Sequence, residues 1–165
     1  MAKNKLQTFH THVDLSEKTR DAMIELLNQR LADAADLYSQ TKQAHWNVKG
    51  MDFIQLHYFF DDLAEQVLPF VDSIAERATS IGGIALGTAR MAAANSTLPE
   101  FPSGPYDGKS MVKVLVEIYG KFANSTRAAI DAADKAGDKD TADLFTTISG
   151  EMDKHLWFLE AHIQV

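Results

Sequence analysis

The chain has 165 residues, 45% of them hydrophobic and 24% charged, which is enough for one domain with a real core and no more. It carries no cysteine, which excludes disulfides and thiolate metal sites, so any metal site must be built from His, Asp and Glu. Its formal net charge of −7 opposes non-specific DNA binding by the folded body, which needs clustered Lys and Arg, and suits the attraction of small cations. No apolar run approaches the roughly 18 residues of a membrane span. The start, Met1-Ala2-Lys3-Asn4-Lys5, has no apolar stretch behind its lysines and does not read as a secretory signal, so cytoplasm is the default location.

A first helix is expected from Asp14-Leu15-Ser16-Glu17, with Asp14 as the cap and Glu17 reaching back. It runs through Met23, Leu27, Leu31, Ala35 and Tyr38 toward Trp46 and ends at Gly50. Asp52 with Gln55 offers the same capping for a second helix, which could reach Gly82-Gly83. Pro69 lies inside it and predicts a kink, since proline removes one backbone hydrogen bond and clashes with the carbonyl of Glu65. Pro99, Pro102 and Pro105 all fall between Ala92 and Gly108, the one long connection, with a short helix around Ala89–Ala94. A third long helix is expected over 109–135, stopped by Gly137, and a fourth over 139–163. Period-2 alternation is nearly absent, so strands are a poor alternative. Long helices with short joins on either side of one crossover, between the second and third long helices, describe an all-α, ferritin-like four-helix bundle. Residues 1–13 read as a short tail and 14–165 as a single domain.

The second helix carries the chemistry. His57-x-x-x-Asp61 and Asp72-x-x-x-Glu76 each stack two side chains on one helix face. On a helical wheel of about 100° per residue, His57, Asp61, Asp72 and Glu76 share one stripe roughly 100° wide. Ala64 and Leu68 lie between the two pairs along the near edge of that stripe, and Glu65 lies toward its far edge. His45 sits twelve residues before the first pair. Nitrogen and carboxylate donors on one stripe suit iron or a similar divalent metal. Either pair alone is also an ordinary solvated helix pair, and a lone His45 an ordinary hydrogen-bonded histidine. The combination, with no lysine on the stripe, is what favours metal. Fifteen residues of helix span about 22 Å, so the two pairs cannot share a metal within one chain unless the helix folds back at Pro69. A two-fold axis near Ala64 and Leu68 would instead set His57 and Asp61 of one subunit against Asp72 and Glu76 of the partner subunit. Ala64 and Leu68 would then form the apolar seam.

The run Thr41-Lys42-Gln43-Ala44-His45-Trp46-Asn47-Val48-Lys49-Gly50 resembles the Dps family, ferritin-like miniature iron stores named for DNA binding in starved bacteria. So do Asp72-Ser73-Ile74-Ala75-Glu76-Arg77-Ala78, the stretch Gly82 to Thr88, Thr141-Ala142-Asp143, and Asp153 to Glu160. The likeness runs from about residue 14 to the end. It implies a hollow dodecamer of four-helix subunits that oxidises Fe(II), preferentially with hydrogen peroxide, and stores the ferric product, protecting the cell from oxidative damage. It also implies a two-iron centre at the subunit interface, with ligands at His45, His57, Asp61, Asp72 and Glu76. Zinc or manganese could substitute. In that picture His57, Asp61 and a bridging Glu76 bind the first iron. Asp72 and His45 hold a second, weaker iron or a water. Trp46 supplies an electron, its alternative being a core or interface aromatic. Lys42 and Arg77 make supporting salt bridges, Arg77 steadying acidic ligands. The Glu-x-x-His motif of ordinary ferritins is absent.

Asp131, Asp134, Asp138, Asp140 and Asp143 gather at the junction of the third and fourth long helices and are candidate linings of a three-fold iron pore, or simply a solvated helix end with Asp140 as cap. His10-x-His12 is a weaker surface metal candidate, and His155 and His162 read as packing groups. DNA compaction in such proteins usually depends on a lysine-rich tail. Only Lys3 and Lys5 precede the first helix, so DNA binding is expected to be weak or absent. The alternatives to a ferroxidase store are a nucleoid-compacting protein with secondary iron chemistry, and a shell that holds zinc or manganese without fast turnover.

Overall fold

A computed structural model describes residues 7–164, which form five helices and, among the described residues, no strand. Lys3 and Lys5 lie outside the described residues. The helices are α1 (Glu17–Asn47), α2 (Phe53–Ser80), α3 (Ala89–Asn95), α4 (Gly108–Ala136) and α5 (Lys139–Ala161). Short joins pair α1 with α2 and α4 with α5 as two helical hairpins; α1 also meets α4, and α2 meets α5, which completes the predicted four-helix bundle. Between the hairpins runs the crossover, 81–107, with α3 packed on α1.

Local chemistry sets the helix ends. Ser16, not Asp14, caps α1: its Oγ accepts from the Thr19 N–H at 3.1 Å, because the helix begins two residues later than Asp14 would need. Asp52 occupies the cap position of α2 but makes no side-chain capping bond. Thr88, Asp107 and Asp138 cap α3, α4 and α5 through their side chains, so the cap of α5 is Asp138 rather than Asp140. Gly137 ends α4 at φ +84°, a left-handed position that glycine takes without strain. α2 stops at Ser80, short of the glycines. Gly82 (φ +88°) then lets the N-terminal segment approach, Phe9 N–H donating to its carbonyl at 2.8 Å; a Cβ there would lie 2.4 Å from the Phe9 carbonyl oxygen. α2 continues through Pro69 as a single helix.

Leu27, Leu31 and Leu37 of α1, Phe60, Leu63 and Ile74 of α2, Leu115, Tyr119 and Phe122 of α4, and Phe145, Ile148 and Met152 of α5 fill the core. Burial at this scale is the main stabilising term. Three buried polar residues of α1 hold the crossover in place. Asn28 donates to the Ile84 carbonyl and accepts from Leu86 N–H, 2.9 and 2.8 Å. Asp33, paired with Arg30, accepts from Thr97 N–H at 2.6 Å. Gln40 donates to the Pro99 carbonyl at 3.0 Å. Each of these crossover groups would otherwise be a partly buried backbone group without a partner.

Candidate metal centre

The join between α1 and α2 brings His45 and His57 face to face, ring centroids 3.9 Å apart and planes 21° from parallel. Each ring hydrogen-bonds the other residue's backbone: His45 Nδ1 meets the His57 carbonyl at 2.7 Å, and His57 Nδ1 meets the His45 carbonyl at 2.9 Å. A carbonyl only accepts, so in both rings Nδ1 carries the proton. In the neutral imidazole Nε2 then keeps its lone pair, the state a metal ligand needs. One turn on, Asp61 pairs with Lys42 of α1. The hydrogen bond from Lys42, aided by its charge, holds the Asp61 carboxyl below the usual carboxylate range. Lys42 also lies 5.9 Å from the ring centroid of Trp46, which is 61% exposed.

The second pair stands apart. Since α2 is unbroken from Phe53 to Ser80, Asp72 and Glu76 lie about 22 Å farther along the axis than His57 and Asp61, both exposed. Among the described residues no three His, Asp or Glu side chains gather closely enough to hold a metal ion. Within one chain His45 and His57 meet at one end of the stripe, with Asp61 one turn on and paired with Lys42, while Asp72 and Glu76 are exposed at the other end.

Three expectations change. Ala64 is 0% exposed within the subunit, at the edge of the bundle core, so it cannot serve as an intersubunit seam; Leu68 is 48% exposed and remains available. Arg77 does not steady Asp72 or Glu76 within the subunit. It lies about 100° around the helix from Glu76 and turns to α5. There it donates to Thr141 Oγ1 at 2.9 Å and to Asp138 at 2.7 Å, with Asp140 at 3.8 Å. Asp138 is itself buried, its carboxylate shared between the α5 cap and Arg77, and so is not free to line a channel. Of the other acidic residues at that junction, Asp134 pairs with Lys139, while Asp131, Asp140 and Asp143 are exposed.

Two exposed apolar side chains also lie on this face. Tyr58 is 62% exposed, its ring 5.7 Å from that of His57, and Ile54 is 49% exposed. Both fall on the ligand stripe of the helical wheel, which was the available signal. His10 and His12 approach to 4.9 Å between ring centroids. His155 is buried: its Nε2 meets Gln66 Oε1 at 3.1 Å, its Nδ1 has no partner, and burial lowers its pKa. His162 donates from Nδ1 to the Phe158 carbonyl and stacks on Phe59. Trp157 is exposed.

The ferritin-like domain family matches residues 24–165. The chain is 43% identical over 159 residues to the DNA protection during starvation protein of Agrobacterium fabrum, covering 96% of this chain and 98% of that protein. The protein of the same name from Brevibacillus brevis is 33% identical, covering 84% and 93%. Among solved structures, DpsC from Streptomyces coelicolor superposes with a TM-score of 0.92 at 29% identity, covering 100% of this chain and 96% of that one. A Dps protein from Bacillus brevis gives 0.84 at 31% identity, covering 91% and 100%. With its ferritin-like bundle and its likeness along nearly the whole length of these relatives, the chain belongs to the Dps family.

Proposed function

We propose that this protein oxidises Fe(II), preferentially with hydrogen peroxide, and stores the ferric product inside a dodecameric shell built from two-fold dimers. The observation that carries the reading is the divided stripe on α2. His45 and His57 have both Nδ1 atoms committed to carbonyls and both Nε2 atoms left to bind metal, with Asp61 beside them. The exposed carboxylates that would complete the site lie about 22 Å away on the same unbroken helix, where another subunit would use them.

In this reading His57 and Asp61 bind the first iron, with Glu76 of the partner subunit as bridge. Asp72 of the partner subunit and His45 hold a second iron or a water. Lys42 neutralises Asp61 until a cation displaces it. Carboxylates favour the harder ferric ion, which draws the oxidation forward. Trp46, exposed beside Lys42, is the electron donor nearest to hand in sequence. Iron enters past the exposed Asp131, Asp134, Asp140 and Asp143, where repeated carboxylates concentrate cations. The shell works in the cytoplasm, without a membrane partner; among the described residues no helix is long and apolar enough to cross one.

Native mass measurement followed by Fe(II) titration with peroxide tests the reading. Fast ferric formation by an assembly of twelve subunits is the expected result. The Asp72→Ala/Glu76→Ala double variant should lose it while keeping its helical spectrum, and normal kinetics in that variant would remove the ligand assignment. Zinc or manganese binding without peroxide-driven turnover would support a passive metal shell instead. Relatives named for DNA protection favour nucleoid compaction as a second reading. The −7 charge argues for weak or absent DNA binding, and a clear gel shift by the intact assembly at about 150 mM salt would favour compaction.

A further inference from the structure

Hydrogen peroxide takes up two electrons, and one Fe(II) supplies only one. Where the second iron position holds water, the other electron has to come from the protein, or a hydroxyl radical escapes. The rings around His57 narrow the choice of donor. His45 lies 3.9 Å from it, Phe53 5.1 Å and Tyr58 5.7 Å between centroids. Phenylalanine and a neutral imidazole hold their electrons tightly. A phenol gives one up together with its O–H proton, and Tyr58 is exposed, so that proton is not locked in the core.

Trp46 is the more obvious donor by sequence, and Lys42 argues against it. The ammonium group lies 5.9 Å from the Trp46 ring centroid. A cation at a ring face attracts the ring's electrons and makes one of them harder to remove. Tyr119 is set aside by burial: it is 0% exposed, its hydroxyl 3.0 Å from Thr41 Oγ1 inside the bundle.

On the reading of His57 and Asp61 as iron ligands, we propose that Tyr58 donates the second electron when a single Fe(II) meets peroxide at this centre. Fe(II), hydrogen peroxide, the tyrosine and one proton from solvent give Fe(III), a tyrosyl radical and two waters. The O–O bond breaks, iron and Tyr58 each lose one electron, and the phenol proton ends in water. The next Fe(II), with one more proton from solvent, reduces the radical to tyrosine and becomes Fe(III). Two irons and one peroxide are thus consumed in turn at one position, and no hydroxyl radical is set free.

Rapid freezing of the intact assembly with one Fe(II) per subunit and excess peroxide, followed by electron paramagnetic resonance, tests it. A tyrosyl signal is expected. It should change shape in protein grown on ring-deuterated tyrosine and not in protein grown on deuterated tryptophan. Tyr58→Phe removes one hydroxyl from an exposed ring, a change the fold tolerates. It should lose the signal and release severalfold more hydroxyl radical to a spin trap for the same amount of Fe(III) formed. Trp46→Phe should keep the signal. A signal that survives in Tyr58→Phe, one that follows tryptophan, or none while the wild type still oxidises iron overturns the proposal. Unchanged radical release in Tyr58→Phe does the same. A wild type that oxidises no iron would overturn the ligand assignment itself, and the donor with it.

Discussion

The two halves of α2 carry the same kind of side chain and are built in opposite ways. In the N-terminal half both candidate ligands are already held: His57 exchanges ring-to-carbonyl hydrogen bonds with His45 of α1, and Asp61 is paired with Lys42. In the C-terminal half Asp72 and Glu76 are exposed, and the nearby cation, Arg77, is committed to Asp138 and the start of α5. A half-site that orders its own ligands loses little entropy when metal arrives. A half-site that leaves its carboxylates loose suits a surface that another molecule must complete.

Mixing breaks or sharpens that contrast most strongly. A His57→Ala/Asp61→Ala subunit and an Asp72→Ala/Glu76→Ala subunit should each be inactive alone. Co-assembled from unfolded chains, they should recover about a quarter of wild-type iron oxidation, because half the two-fold pairs are mixed and each mixed pair regains one of two sites. No recovery in verified mixed shells would place each site within one chain.

The next effect in size concerns Arg77. Asp138→Ala removes the α5 cap and leaves a largely buried guanidinium without its main partner, so stability in urea should fall by about 2–3 kcal/mol. If Arg77 served the metal carboxylates instead, iron oxidation would suffer more than stability.

His155 gives a smaller, pH-dependent effect. Burial lowers its pKa in the folded state, with Glu151 opposing and Lys154 adding to the shift. Below the ordinary histidine pKa of about 6.5, the unfolded chain takes up a proton that the folded chain refuses. Unfolding therefore becomes easier as pH drops through that value. His155→Gln should show a flatter stability profile between about pH 7 and 5 by denaturant titration. Parallel profiles would mean that His155 is not what senses acid.

Smallest is Lys42→Met, which should change stability by less than about 1 kcal/mol, since the Lys42–Asp61 pair is partly solvated. A larger loss would show that the N-terminal half-site needs its internal cation to fold.

Much of this was legible in sequence because it depends on one periodicity. The apolar spacing of Met23, Leu27, Leu31, Ala35 and Tyr38 marks a helix face, and glycine and proline mark helix ends, so the bundle and its single crossover could be read directly. The stripe of His57, Asp61, Asp72 and Glu76, and the impossibility of closing it within one straight helix, follow from rise and turn alone. Where a side chain turns off its own helix, spacing is silent. It could not show that Ala64 lies inside the bundle edge, that Arg77 reaches α5 rather than its neighbours, or that Asp138 is consumed by a cap.

The sequence by itself determined four long helices and the set of donors on the second, because local propensity and a fixed helical repeat need no knowledge of distant residues. Only the tertiary structure decided which partners those donors meet. The exchange of hydrogen bonds between His45 and His57, the Lys42–Asp61 pair and the bond from Gln40 to the crossover each join residues distant in sequence, and only the packing of one helix on another sets which of them meet.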